Sequence, residues 1–200
     1  MKVLAGPRVD LRPGGAAARL CRMLAGDDGE VVSLAAAGLR NPYRRFSAAE
    51  ISALRGALHG EMEVVGYVCT GVSVGPGGAG APAAAGAPAR EPARLVVVTD
   101  HVNLTWRSPL DGPNDDRVGP RFPSMDGIYI PETAASRCGA AGDMMVSRGV
   151  VAGIADDRVL SEQEIQTAGK SGWVAASSEL VAPVMIAAHM GLRVAAVVMV

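Results

Sequence analysis

The sequence predicts a single α/β domain built around a mostly parallel sheet. Short β-branched runs alternate with helical patterns along the chain, and two of the predicted helices open on capping-box spacing. The 200 residues, 49% of them apolar, are enough to bury one core. We therefore expect one domain over residues 1–200.

Composition and charge exclude several classes of protein. The formal net charge is -1, which gives no electrostatic footprint for nucleic acid. No apolar run reaches the roughly 18 residues that a membrane helix needs, and the N-terminal stretch has no signal-peptide core. The three cysteines are scattered, and no cluster of side chains has metal-ligand spacing. These features predict a cytoplasmic protein without a metal site.

Four segments organise the first half of the chain. "RLCRMLAGDDGEVVSLAAAG" predicts a β-hairpin with an Asp-Gly turn. Ser47 and Glu50 have capping-box spacing and predict the start of a helix. "EVVGYVCTG" predicts a buried strand ending at Gly71. The Gly-, Pro- and Ala-rich residues 75–92 predict a flexible surface insertion.

The second half alternates strands and helices around one long polar loop. "RLVVVTD" predicts a buried strand, and the loop that follows it leads to a helix at "PETAASRCGAAG". "RGVVAGI", "WVAAS" and "LRVAAVVMV" predict three further strands. Ser161 and Glu164 form a second capping-box pattern, and "LVAPVMIAAHM" predicts a buried helix that ends at Gly191.

Residue types alone indicate some candidate site positions. Ser177, Ser178 and Glu179 follow a predicted strand, at the end where α/β sheets place ligands. Phe122 lies in a Gly- and Pro-flanked loop, where an aromatic side chain has few packing roles, which favours a site or interface.

Other conspicuous residues favour structural roles. We expect His101 to fix the long loop by hydrogen bonds and His189 to be a satisfied core histidine. Asp115, Asp116 and Arg117 predict an exposed turn with an ion pair.

The long loop resembles a known family signature. "TDHVNLTWRSPLDGPNDDRVGPRFPSM" is similar to the DHINL, NPLxGPND and RFGxRFPxM motifs of the trimeric purine nucleoside phosphorylase family. "SEQEIQTAGKSGWVAASSELVAPVMIAAHMGLRV" resembles that family's next helix, strand and ARHxGxRV corner. The resemblance is clear over residues 96–200. It implies a three-layer α/β fold with a mixed, mostly parallel, barrel-like sheet, a homotrimer, and phosphorolysis of purine nucleosides with phosphate as co-substrate and no cofactor.

The resemblance also implies substrate-binding residues. The family's NAAGG turn under the ribose and phosphate aligns with the stretch that includes Thr70 and Gly71. Phe122 matches the aromatic that covers the neighbouring subunit's ribose. Arg40 is the nearest match to a phosphate-binding arginine segment. The family's purine-binding glutamate aligns near Leu160. Glu162, two residues later, is the nearest carboxylate.

Departures from the family pattern leave three hypotheses open. "LAGPRVD" is a poor substitute for the GSGLG phosphate loop, although Arg8 could contact an anion, and the strand-end asparagine that reads the base would follow Val200. The first hypothesis is a divergent enzyme acting on a nucleoside or nucleoside-like ligand, with weak phosphorolysis. The second is a repurposed pocket that catalyses an isomerisation or cyclisation. The third is a catalytically silent subunit of a phosphorylase-like oligomer.

Overall fold

The computed structural model describes residues 1–36, 48–58, 63–74, 94–139, 144–155 and 160–200. The predicted insertion at 75–92, the first capping-box serine Ser47 and the candidate Arg40 lie outside these ranges. The strands within them are β1 (Val3–Ala5), β2 (Val31–Ser33), β3 (Val64–Thr70), β4 (Val72–Ser73), β5 (Arg94–Asn103), β6 (Met145–Gly153), β7 (Trp173–Ser177) and β8 (Arg193–Met199). The helices are α1 (Ala16–Ala25), α2 (Ala48–Leu58), α3 (Pro131–Cys138), α4 (Glu162–Lys170) and α5 (Val181–His189).

The strands form one mixed sheet in the order β2-β1-β3-β8-β5-β6-β7-β4. Five neighbouring pairs are parallel: β1 with β2, β1 with β3, β3 with β8, β5 with β6, and β6 with β7. The β5–β8 and β4–β7 pairs are antiparallel. This confirms the predicted α/β class with a mixed, mostly parallel sheet.

Both faces of the sheet are covered, which makes three layers. Side chains alternate along a strand, so in β5 Val96 and Val98 join one apolar cluster while Leu95 and Val97 join another. The first cluster includes buried residues of α2 and α5, and the second includes those of α1 and α3. Burying each such Val or Leu side chain stabilises the fold by about 1.5–3 kcal/mol before entropy is counted.

The sheet curls because a single residue joins two strands that are far apart in its order. Gly71 alone separates the end of β3, third in the order, from the start of β4, eighth in the order. The far edge of the sheet must therefore return close to β3. This geometry agrees with the barrel-like sheet that the resemblance implied.

The predicted N-terminal hairpin is wrong. Its first half is helix α1, in which Leu20, Cys21 and Leu24 form a fully buried stripe at helical spacing. The helix ends at Gly26, with φ of 77°, and β2 then pairs in parallel with β1. The apolar residues of this stretch fall in pairs, so strand alternation and helical periodicity were not separated in so short a window.

The second capping box and the C-terminal corner are confirmed. At the start of α4, Glu164 N donates to Ser161 Oγ at 3.3 Å, and Ser161 N donates to Glu164 Oε2 at 2.9 Å. Gly191, with φ of 73°, follows the end of α5, a conformation that suits glycine at this position.

Candidate functional site

The carboxyl ends of β3 and β7 meet at one point. Ser177 Oγ, at the end of β7, donates to the carbonyl oxygen of Thr70, at the end of β3, over 2.6 Å. The same hydroxyl oxygen accepts from Glu179 N at 3.1 Å. The structure therefore brings together the predicted residues Thr70, Gly71, Ser177 and Ser178. We call these four residues, with Arg8 and Glu179, the strand-end cluster.

A carboxylate lies at the centre of the strand-end cluster. Glu179 is 1% exposed, and its Oε2 accepts hydrogen bonds from Thr70 N at 2.8 Å and Thr70 Oγ1 at 2.7 Å. Its Oε1 accepts from Arg8 N at 3.0 Å and lies 3.4 Å from Arg8 Nε. A buried carboxylate is tolerated when it is paired and hydrogen-bonded in this way.

Arg8 comes from the loop that follows β1 and joins the cluster from outside. Its side chain is 48% exposed, and Nη2 donates to Ser178 Oγ at 2.7 Å. The anion that the sequence allowed Arg8 to contact is thus Glu179 of the same chain.

Two buried groups beneath the cluster are held neutral. Burial raises the pKa of Tyr67 well above its usual value, and its hydroxyl donates to the carbonyl oxygen of Glu179 at 2.7 Å. Burial, followed by the charge of Glu179, raises the pKa of the Cys69 thiol well above its usual value. A protonated thiol is a poor nucleophile, so Cys69 is a packing residue.

Gly71 is required by close packing. A Cβ atom there would lie 2.6 Å from both the carbonyl oxygen of Ala176 and Cγ1 of Val198. Gly71 N donates to the carbonyl oxygen of Met199 at 2.9 Å. Its role is thus to let the turn between β3 and β4 approach β7 and β8.

Two predicted site residues lie elsewhere. Phe122 is 85% exposed, with the Arg121 guanidinium 5.7 Å from its ring centre. It borders a groove of about 350 Å³ that Met125 and Met185 also line. Glu162 is exposed in the first turn of α4. The structure does not bring either residue into the strand-end cluster.

A second cavity of about 330 Å³ lies beside α4. Leu160 and Trp173 give it an apolar wall, and Thr167 and Glu164 contribute polar atoms. Leu160 is the position at which the resemblance placed a purine-binding carboxylate. The cavity wall is therefore apolar at that position.

Two histidines outside the long loop, one in β5 and one in α5, hydrogen-bond to it. His189 has no exposed surface; its Nε2 lies 3.0 Å from Asn114 Oδ1, and its Nδ1 lies 3.4 Å from Arg55 Nη2. His101 Nδ1 lies 2.7 Å from the Tyr129 hydroxyl oxygen. Both histidines thus have the hydrogen-bond partners that a structural role requires.

The charged turn of this loop also behaves as expected. Arg117 Nε lies 2.9 Å from Asp115 Oδ1, and the Arg117 side chain is 89% exposed. The neighbouring guanidinium, through its hydrogen bond, lowers the pKa of Asp115 to about 2. These residues form a solvated ion pair.

The described ranges contain neither a metal-binding cluster nor a membrane-spanning helix. Within them, no group of three or more His, Cys, Asp or Glu side chains is placed to hold a metal ion. Among the helices of the same ranges, none has both the length and the apolar character to cross a membrane.

The sequence did not predict the ion pair between Arg8 and Glu179 at the centre of the strand-end cluster. Glu179 and Arg8 were each noted, but 171 residues separate them along the chain. The available signal was Glu179 itself, a charged residue placed between a buried strand and a buried helix. Such a residue requires a partner, although its sequence context does not identify that partner.

Comparison with known proteins gives a consistent result. Residues 74–200, more than half of the chain, match the family model of the Phosphorylase superfamily. Purine nucleoside phosphorylase 1 of Bacillus subtilis (strain 168) is 29% identical over 102 residues, 50% of this chain and 38% of that protein. Purine nucleoside phosphorylase of Mus musculus is 32% identical over 114 residues, 54% of this chain and 39% of that protein. The matched region thus spans less than half the length of these relatives.

Solved structures share the fold. Purine nucleoside phosphorylase of Schistosoma mansoni in a complex with BCX-34 aligns with a TM-score of 0.59 and 19% identity, over 76% of this chain and 54% of that one. The same protein in complex with guanosine aligns with a TM-score of 0.57 and 18% identity, over 76% and 56%. At these identities the likeness is one of architecture.

Proposed function

We propose that this chain, which belongs to the phosphorylase superfamily, binds a nucleoside or nucleoside-like ligand at its strand-end cluster. The observation that carries the proposal is the meeting of Thr70, Ser177 and Ser178 at the carboxyl ends of two strands. Ligands of α/β sheets bind at such ends. The purine nucleoside phosphorylase-like family supports a nucleoside as the ligand class.

The reaction class we propose is pentosyl transfer. In phosphorolysis a phosphate oxygen attacks the anomeric carbon, the glycosidic bond breaks, and its electron pair leaves with the purine. If the chain is active in this reaction, inorganic phosphate is the co-substrate, and the chemistry calls for no further cofactor. Small polar groups such as Ser178 Oγ and Thr70 Oγ1 suit contacts to ribose and phosphate oxygens, since hydroxyls both donate and accept hydrogen bonds.

We expect phosphorolysis to be weak or absent. The Glu179 carboxylate is fixed among the donors that an attacking phosphate would need, and the apolar Leu160 lines the cavity beside α4. Loss of one donor that stabilises charge in a transition state typically lowers the rate by about 10²–10³. Glu162, on the exposed first turn of α4, is the remaining candidate for contacting the base.

The second candidate is a non-phosphorolytic step, such as an isomerisation or cyclisation, on a related ligand. The bonded Glu179 carboxylate favours it, because a step that does not use phosphate needs no free anion site among the donors of Arg8 and Thr70. The third candidate, a subunit without turnover, is favoured by the exposed aromatic Phe122, which would cover a neighbouring subunit in the homotrimer that we propose.

Two measurements on the purified chain separate these candidates. Purine release from inosine or guanosine is assayed with and without phosphate, and thermal stabilisation by the same nucleosides is measured in parallel. We expect stabilisation with little turnover, and stabilisation with no purine release at all would favour the second candidate. Vigorous phosphate-dependent release would contradict the expected weakness, and absence of both effects would favour the silent subunit.

A further inference from the structure

Glu179 is held by donors that match those of an anion-binding site. Four donor groups surround its carboxylate: the backbone N–H groups of Arg8 and Thr70, the Thr70 hydroxyl and the Arg8 guanidinium. They come from the loop after β1 and the end of β3, two segments far apart along the chain. We call this set of four donors the anion cradle.

The backbone at Gly6 passes close to the anion cradle. A Cβ atom on Gly6 would lie 3.3 Å from Glu179 Oε2 and 3.2 Å from Cys69 Cβ, so only glycine leaves the approach uncrowded. Backbone N–H groups combined with a guanidinium are a general means of binding phosphate, sulfate or carboxylate groups. The cradle would therefore accept a free oxyanion if Glu179 were not in it.

We propose that Glu179 is an internal anion that occupies this cradle and excludes inorganic phosphate from it. The inference builds on the proposed function, because it concerns which co-substrate the nucleoside site accepts. Two anions a few ångströms apart disfavour one another's charged forms. A phosphate ion would have to displace a carboxylate that is already desolvated and fully bonded. Glu179 is therefore a specificity-determining residue, and the ligand this site accepts is one that brings no second anion to the cradle.

The test is a titration of three proteins with inorganic phosphate, followed by calorimetry or thermal shift against chloride of equal ionic strength. They are the wild type, Glu179→Ser, and the matched control Glu132→Ser. Glu132 is also a glutamate paired with an arginine, Arg148 at 3.4 Å, but its side chain is 77% exposed. Both variants change the net charge equally, so a difference between them reports the location of the charge.

We expect no saturable phosphate binding to the wild type or to Glu132→Ser. Glu179→Ser should bind phosphate at least about tenfold more tightly than either, a ratio that is readily measured. Adding Arg8→Ala to Glu179→Ser should remove most of the gain. Saturable binding to the wild type in the same range, or no gain in Glu179→Ser, would overturn the proposal.

The serine variant retains the main-chain contacts of position 179. Tyr67 donates to the carbonyl oxygen of residue 179, and its N–H donates to Ser177 Oγ, irrespective of the side chain. If the serine variant is only marginally stable, phosphate binding can still be measured, because a ligand that binds only the folded state raises the midpoint of unfolding. If the serine variant does not fold, Glu179→Asn, which removes the charge and shortens the side chain, is titrated instead. Greater phosphate stabilisation than in the wild type supports the proposal, and equal stabilisation overturns it.

Inosine titrations of the same proteins keep this inference separate from the proposed function. Stabilisation of the wild type by inosine tests the nucleoside site, because inosine brings no anion to the anion cradle. A gain of phosphate binding without any inosine effect supports the internal anion and contradicts the proposed function. Stabilisation by inosine without a gain of phosphate binding supports the proposed function and contradicts the internal anion.

Discussion

The strand-end cluster and the long loop differ in how they use polar residues. In the cluster, the carboxylate of Glu179 is buried and bonded to groups from distant parts of the chain. In the loop, Asp115 and Arg117 pair with each other two residues apart, and Trp106 is 93% exposed. The loop has the more recognisable sequence, whereas the cluster has the more unusual chemistry. A family signature can thus mark the scaffold while the distinguishing chemistry lies outside it.

The largest expected effect is that of Glu179→Ala on stability. Removing the buried carboxylate takes the shared acceptor away from the part-buried donors of Thr70 and Arg8, so we expect the free energy of unfolding to fall by about 2–4 kcal/mol. Urea denaturation measures this. Asp115→Ala, in the exposed pair of the loop, should leave the urea midpoint unchanged. Equal losses of unfolding free energy in the two variants would contradict the expected difference between the strand-end cluster and the long loop.

Gly71→Ala tests how rigid the strand ends are. A new Cβ would lie 2.6 Å from the carbonyl oxygen of Ala176, so we expect a loss of about 1–3 kcal/mol. The matched control is Gly56→Ala in helix α2, where a Cβ meets nothing within 4 Å. That variant should gain about 0.5–1 kcal/mol, because alanine favours the helix more than glycine. An unchanged free energy of unfolding for Gly71→Ala would show that the strand ends shift readily to accommodate a methyl group.

Acid sensitivity should come in part from His101, near the end of β5. Burial lowers the pKa of His101, an effect that Asp100 partly opposes. As pH falls, the unfolded chain takes up this proton first, so stability present above about pH 6.5 is lost as pH falls through the folded-state pKa. His101→Gln can keep a hydrogen bond to Tyr129 and has no titrating group. Its melting temperature should fall less than that of the wild type between about pH 7 and pH 5.

The smallest expected effect on stability is that of removing the exposed aromatics. Trp106→Ser and Phe122→Ser should change the free energy of unfolding of an isolated chain by less than about 0.5 kcal/mol, since both side chains are solvated. If the chain forms the proposed homotrimer through this loop, light scattering should show a weaker oligomer for Phe122→Ser. An unchanged oligomeric state in Phe122→Ser would show that Phe122 does not contribute to the subunit interface.

Strong local signals made most of the second half of the chain predictable. The continuous apolar run of β5 and the Ser161–Glu164 capping box each carry their own structural information. Helix α1 was mistaken for a strand because its stability depends on packing of Leu20 and Leu24 against a sheet that is invisible in a local window. The sheet order could not be predicted, since it depends on pairings between distant strands.

The candidate site was predictable only in part. Thr70, Gly71, Ser177 and Ser178 were identified and lie together, whereas Phe122 and Glu162 lie apart from them. The role of Arg40 stays a prediction, as it falls outside the described residues. The cradle around Glu179 depends on a contact across the curled sheet, which no pattern of nearby residues reports.

The position of β8 in the sheet bears on how the chain acquires its structure during synthesis. This strand runs from Arg193 to Met199 and pairs with β3 on one side and β5 on the other. Until the ribosome has released residue 199, the two neighbours have no partner between them, and their apolar faces and open edges stay available to other chains. Such delayed, long-range pairing is slow and prone to aggregation. We therefore expect the nascent chain to be prone to aggregation until its central strand has been made.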